Sequence, residues 1–339
     1  MHICNIAFLL LFQSFIACNQ VSEIAQSSPD NLAFQSTGAS QQHPEKVQLG
    51  AANLLFQSSD GGQTWQDVSE GLPSLQVDGF FAGDAELYLR TEKGMYRSGT
   101  AFMAPIWERE ISLDDQNTSI FPSQAGLIAF SSNGRFSQKI NGSSIWLPAY
   151  TTFQDQSFRT IFEATDRSIF IGCDNGLFKS SDYGKTWKHV LENGWVLKIV
   201  ESNGVLLCTN VRGILRSTDG GEHWESVISE GGVGIAVETI ESGFAAITYN
   251  TDSETRRIRT STDGGKTWQA IDAGLPPHAL IASIKQVGEY FFCGHPDGIF
   301  RSSDKGKTWK LLLTAIDKKV FNLSVSGKVI YAVPRDGGC

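Results

Sequence analysis

One octapeptide limits this chain's fold more than any other feature, because it returns five times. It reads Ser-x-Asp-x-Gly-x-Thr/His-Trp, with Ser58, Asp60, Gly62 and Trp65 in the first copy and Ser180, Asp182, Gly184 and Trp187 in the second. The third holds Ser217, Asp219, Gly221 and Trp224, the fourth Ser261, Asp263, Gly265 and Trp268, and the fifth Ser302, Asp304, Gly306 and Trp309. Trp107 and Trp146 fall in the long gap after the first copy, so the tryptophans at 65, 107, 146, 187, 224, 268 and 309 advance by 37 to 44 residues. A period near 40 is the length of one small antiparallel sheet that cannot bury both faces alone and must stack on its neighbours in a ring.

The pattern between boxes supports this. In the repeat that contains Trp187, short apolar runs at 158–164, 168–173, 177–180 and 186–191 are separated by Asp166, by Asn175-Gly176 and by the box itself. The next repeat gives 196–201, 205–209, 214–217 and 223–228. Strands of this length with turn signals every eight to twelve residues are an all-β pattern. The repeats around Trp107 and Trp146 lack the Asp and are expected to keep their strands with irregular loops in place of the box. Before the first box stands only one apolar run, Leu54-Leu55-Phe56, whereas 320–325 and 329–333 follow the last box with no further copy. Two strands from each chain end then complete a seventh unit, which leaves no half-sheet edge exposed.

The box has a local physical reading. The Asp carboxylate and Ser hydroxyl exchange hydrogen bonds with the turn, Gly supplies a positive φ, and the Trp opens the returning strand. These residues resemble the Asp-box, or bacterial-neuraminidase repeat, of sialidases, sortilin-type receptors, xyloglucanases and photosystem II assembly propellers. The resemblance covers roughly residues 50–336 and implies a seven-bladed β-propeller of four-stranded antiparallel blades, with the boxes on the outer rim and ligands bound over the central channel. It assigns the boxes to structure rather than catalysis. Arg97, Arg216, Arg301 and Lys179 precede boxes or their degenerate counterparts, a recurring place that reads as structural.

Ile6 to Ile16 is an apolar stretch of signal-peptide length, too short to span a bilayer. It runs into Phe15-Ile16-Ala17-Cys18, which resembles a bacterial lipobox and makes Cys18 the expected lipid attachment point; ordinary secretion is the alternative. The expected organisation is therefore 1–18 signal peptide with lipobox, 19–49 a Gln- and Ser-rich disordered tether, and 50–339 the propeller. The expected location is the bacterial cell envelope or periplasm. Cys173, Cys208 and Cys293 each end an apolar run and read as buried small hydrophobes.

Chemistry-bearing motifs are sparse. A net charge of −8 argues against a nucleic-acid-binding body and against a membrane contact other than a lipid anchor. The Gly-Lys-Thr triplets at 184–186, 265–267 and 306–308 lack the upstream glycine of a phosphate-binding loop. The histidines show no metal-ligand spacing, so no metal or cofactor is expected. A sialidase would carry Phe/Tyr-Arg-Ile-Pro ahead of its first box, and the nearest string, Phe158-Arg159-Thr160-Ile161, lacks the proline and sits mid-ring. On the loops that a propeller aims at its channel, the candidate ligand-binding residues are Arg90, Arg159, Trp195, Arg212, Arg256, Arg257 and His295. Arg335 joins Arg90, Arg159 and Arg212 as a group that an enzyme would have to converge. The expected function is a monomeric binding or assembly scaffold for a protein or glycan at the channel face. An exo-acting glycosidase of sialidase type and a photosystem II assembly factor-like propeller are the alternatives.

Overall fold

The computed structural model describes residues 53–72, 76–100, 104–113, 118–131, 135–149, 151–153, 158–229 and 232–337. The signal peptide, Cys18 and the tether lie outside the described residues. Seven four-stranded antiparallel sheets form the ring, six of them contiguous in sequence. We number these six blades in chain order, with inner strands Val77–Ala82, Ser119–Ser123, Phe158–Glu163, Ile199–Ser202, Gly232–Ile240 and Ser283–Val287. Blade 7 is the shared one: Val320–Ser326 and Val329–Arg335 supply its inner strands, and Phe56–Ser58 and Gln66–Asp67 its outer strands. Phe56 pairs with Ala332, so the closure expected from the chain ends is the one observed. Blades 1 and 2 also form four strands without a box.

Because strands alternate in direction, the turns joining first to second and third to fourth strands lie on one face of the ring, which we call the lower. The second-to-third turns and the crossings between blades lie on the upper face. The core is distributed accordingly, one apolar cluster to each interface between blades. Phe170, Leu177, Ile199 and Leu206 lie between blades 3 and 4, and Ile247, Ile258, Ile284 and Phe291 between blades 5 and 6. The junction of blades 2 and 3 has the fewest buried members, Phe130, Ile161, Ile171 and Cys173, with a wider shell of half-buried side chains around them. Cys173, Cys208 and Cys293 are buried, and burial pushes the thiol pKa of Cys208 and Cys293 up.

The box geometry repeats closely. The Ser hydroxyl donates to an Asp oxygen at 2.8–2.9 Å and accepts the Gly N–H at 2.8–2.9 Å. The Asp then accepts the backbone N–H four residues on, together with the Thr hydroxyl at that position at 2.6–2.7 Å. Where Thr is replaced, His223 places Nδ1 2.6 Å from Asp219, so the ring takes the place of the hydroxyl. Four indoles, those of Trp65, Trp187, Trp224 and Trp268, fold back to donate to the box Gly carbonyl at 3.1 Å. This is why the outer strands of blades 3 and 4 begin at Lys188 and Glu225, later than the sequence suggests: the residue before the Trp and the Trp itself belong to the turn.

Gly has a second task that local reasoning misses. All five box glycines have φ between +80° and +85°, but four are also pressed into the preceding blade. A Cβ on Gly221 would lie 2.5 Å from the Phe170 ring, on Gly62 2.7 Å from Leu312, on Gly265 3.0 Å from Leu207, and on Gly306 2.4 Å from Ile271. The pre-box cations complete the link. Arg216 donates to Gly264 O at 2.7 Å, Arg301 to Gly61 O at 2.6 Å, and Lys179 binds Glu222 at 2.7 Å, each in the box of the next blade. Arg97, in box-less blade 1, instead approaches Glu108 and Glu110 of its own blade.

Candidate functional site

The upper mouth of the channel is where the inner strands depart from regular pairing. Blades 1, 3 and 5 carry a β-bulge near the upper end of the inner strand, at Asp78, Arg159 and Ile235. A bulge adds one unpaired residue and re-aims its side chain. The exposed side chains of Asp78 and Arg159 are thereby placed at the mouth.

Arg90 lies within the second strand of blade 1, Glu86–Thr91, rather than on a loop. Its NH1 donates to Thr118 O at 3.0 Å and Ser119 Oγ at 3.3 Å across the junction with blade 2, and its NH2 to Asp78 O at 3.1 Å. Arg335 ends the second strand of blade 7 and borders a cleft of about 220 Å³ that Asp78, Gln76 and Lys319 also line. Burial lowers the pKa of both guanidinium groups; each also feels Asp78, and Arg335 is depressed further by Arg90. The Nε atoms of Arg90 and Arg335 and the Nδ2 of Asn322 on the blade 7 inner strand are buried with no hydrogen-bond partner. Buried donors of this kind are costly unless a partner arrives.

The other candidates are dispersed. Arg159 is held by Asp174 of its own blade at 2.5 Å. Arg212 is exposed on the second-to-third turn of blade 4, where its backbone N–H caps onto Asn210 at 3.1 Å. Trp195 crosses from blade 3 to blade 4 with 38% of its surface exposed, and its neighbour Gly194 packs on Val211, so Trp195 and Arg212 stand on adjoining loops. Arg256 and Arg257 sit on a strand, Thr255–Ser261, not on the loop the sequence suggested. Arg256 is buried and donates to Ile281 O at 2.8 Å, and Arg257 forms a two-point pair with Asp272 at 2.8 and 3.1 Å. His295 is 0% exposed: Nδ1 accepts Asp297 N–H at 3.0 Å, which leaves Nε2–H to donate to Pro276 O at 2.9 Å. It ties loops together and offers no surface to a ligand. Burial lowers its pKa and favours the neutral ring.

Sequence reasoning missed a charged cluster across blades 4, 5 and 6. Glu238 on the blade 5 inner strand binds Lys285 of blade 6 at 2.7 Å and also Lys198 just ahead of the blade 4 inner strand. Burial would raise the Glu238 pKa, but the two ammonium groups outweigh it and hold it at about 2. Burial brings Lys285 down to about 8 against the pull of Glu238. The three residues are far apart in sequence, so no motif could signal them.

With this geometry established, known proteins add the following. Models described as BNR/Asp-box repeat match residues 259–270, and those described as BNR-Asp box repeat match 177–190 and 299–312. Comparison with curated proteins gives no match. Among solved structures, the extracellular domain of the one component system BT4673 from B. thetaiotaomicron is similar at TM-score 0.58 and 12% identity, over 74% of this chain and 36% of that one. This chain thus spans about a third of that protein. Virginiamycin B lyase from Staphylococcus aureus, in a catalytically inactive form with quinupristin, gives 0.56 and 12%, over 77% and 95%. YCF48 bound to D1 peptide gives 0.52 and 12%, over 77% and 92%. Likeness at these identities establishes the ring of blades and nothing finer.

Proposed function

The chain is a seven-bladed β-propeller carrying BNR/Asp-box repeats, and we propose that it is an exported binding or assembly scaffold that takes a protein or glycan partner at the upper mouth of its channel. The observation that carries this reading is the Arg90–Arg335 pair, two guanidiniums sharing Asp78 with buried Nε donors unmet. A partner presenting an acceptor there would satisfy groups that the fold leaves open, a gain available to binding without any reaction. The sialidase alternative requires three guanidiniums converging on one carboxylate. Here Arg159 and Arg257 are each committed to a carboxylate of their own blade.

Labelled protein on glycan and peptide arrays tests the reading: retention should fall with Arg90→Ala or Arg335→Ala in a folded protein, and unchanged retention by both overturns it. Incubation with a fluorogenic sialoside and a panel of aryl glycosides should release no product. Turnover lost in Arg159→Ala or Arg212→Ala, with the fold intact, would establish the enzyme instead. The proposed attachment is a lipid on Cys18, so Cys18→Ser should move the protein from the membrane fraction to the soluble one. An unlipidated mature start elsewhere would refute the anchor.

A further inference from the structure

The lower face holds a second concavity, of about 240 Å³, between blades 2 and 3. It exists because blade 2 breaks the interlock used elsewhere. In blades 3, 4 and 6, the cross-strand pairs Phe170–Lys179, Leu207–Arg216 and Phe292–Arg301 face the next box and fill the space beneath it. In blade 2 the pre-turn cation stands one residue later along its strand and so on the opposite face. That cation, Lys139, turns back to Glu86 of blade 1, and the shorter pair Ile128–Gln138 faces blade 3 instead. A Cβ on Gly184 would accordingly meet nothing nearer than 3.5 Å, against 2.4–3.0 Å at the other four boxes.

Two independent features mark this cleft as more than a packing gap. Ser123 Oγ lines it and is buried with no hydrogen-bond partner. Tyr183 stands on its wall at φ +61° and 64% exposure, in the box position that is glycine in three of the other four copies. An aromatic residue in the left-handed region is strained, and keeping such a residue exposed beside a cavity points to a use for its ring.

We propose that this cleft binds a neutral pyranose, the single sugar ring of a glycan. Tyr183 and the half-buried Trp187 offer flat apolar surface for the C–H face of the ring. Ser123, Gln138, Glu163 and Arg167 offer hydroxyl, amide, carboxylate and guanidinium groups for its hydroxyl rim. The opposite charges of Glu163 and Arg167 leave no net charge to select an ion. The volume suits one ring and excludes a folded partner. This site lies on the opposite face of the ring from the Arg90–Arg335 mouth and does not depend on it.

The test is saturation-transfer NMR with methyl glucoside, methyl galactoside and N-acetylglucosamine as probes. At least one should bind saturably, and Tyr183→Gly should weaken it by about tenfold or more through loss of the ring contact. The same variant should melt at a higher temperature than the parent, because glycine relieves the backbone, so weakened binding would not report unfolding. Ser123→Val, which removes the unmet hydroxyl, should weaken binding as well. No saturable binding of any of the three sugars, or binding unchanged in both variants, overturns the proposal. Arg335→Ala should leave it intact, which separates failure here from failure of the upper-face reading.

Discussion

Blades 3 to 6 and blade 7 carry the box; blades 1 and 2 do not, and the two groups hold their neighbours by different means. Four of the five boxed blades dock their glycine into the blade before them, and three receive a cation from that blade at the box. The box-less pair relies on side chains. Trp107 sends its indole N–H to Val68 O of blade 7 at 2.9 Å, and Lys139, buried between the Tyr88 and Trp146 rings, binds Glu86 at 2.6 Å. The indole N–H of Trp146 is buried without a partner. Among the described residues, five of the nine exposed large apolar side chains also fall here: Ile106, Ile111, Ile140, Ile145 and Leu147. Backbone staples give repeatable interfaces, whereas side-chain substitutes leave clefts and apolar surface, which is where new binding sites can arise.

This contrast can be broken at single positions. The largest effect is expected from Lys139→Met, which leaves Glu86 without its cation at the blade 1–2 junction; chemical denaturation should show a loss of about 3 kcal/mol. Gly221→Ala should cost about 2–3 kcal/mol, because the methyl meets both a left-handed backbone and the Phe170 ring. Gly184→Ala, facing the open cleft, should cost about 1 kcal/mol from the backbone alone. Equal losses at the two glycines would show that interlocking contributes nothing. Ser217→Ala should cost about 1–2 kcal/mol, since the buried Gly221 N–H loses its acceptor.

The smallest effect is on acid stability. Hydrogen bonds from the Thr hydroxyl and backbone hold Asp60, Asp182 and Asp304 at about 2, below their ordinary 3.8. The folded pKa is the lower one, so each box's contribution is complete above pH 3.8 and is lost as pH falls through about 2. Denaturation midpoints should fall across that window, and Asp182→Asn should flatten the slope by one proton's share. A parent protein whose stability does not change between these values would show the carboxylates idle.

Much of the ring was legible in the sequence because its signals are local. The box closes its hydrogen bonds within eight residues, the period of seven tryptophans counted the blades, and the unequal chain ends announced that one of them is shared. The candidate site was less legible. Arg90 was read as a loop residue and lies within a strand, and Arg256 and His295, read as ligand contacts, are buried structural groups. Asp78, Lys198, Glu238 and Lys285 carried no signal at all.

By itself the sequence determined the fold class, the number of blades, their closure and the structural role of every box, since each follows from hydrogen bonds and periodicity inside one repeat. Tertiary structure alone decided which guanidiniums keep unmet donors, where bulges turn inner-strand side chains into the channel mouth, and that the blade 2 cation faces blade 1 rather than blade 3. The physical reason is that adjacent strand residues point to opposite faces, so moving a charge by one position changes the blade it meets. Which charges then meet depends on partners about 40 or more residues away, one blade period along the chain.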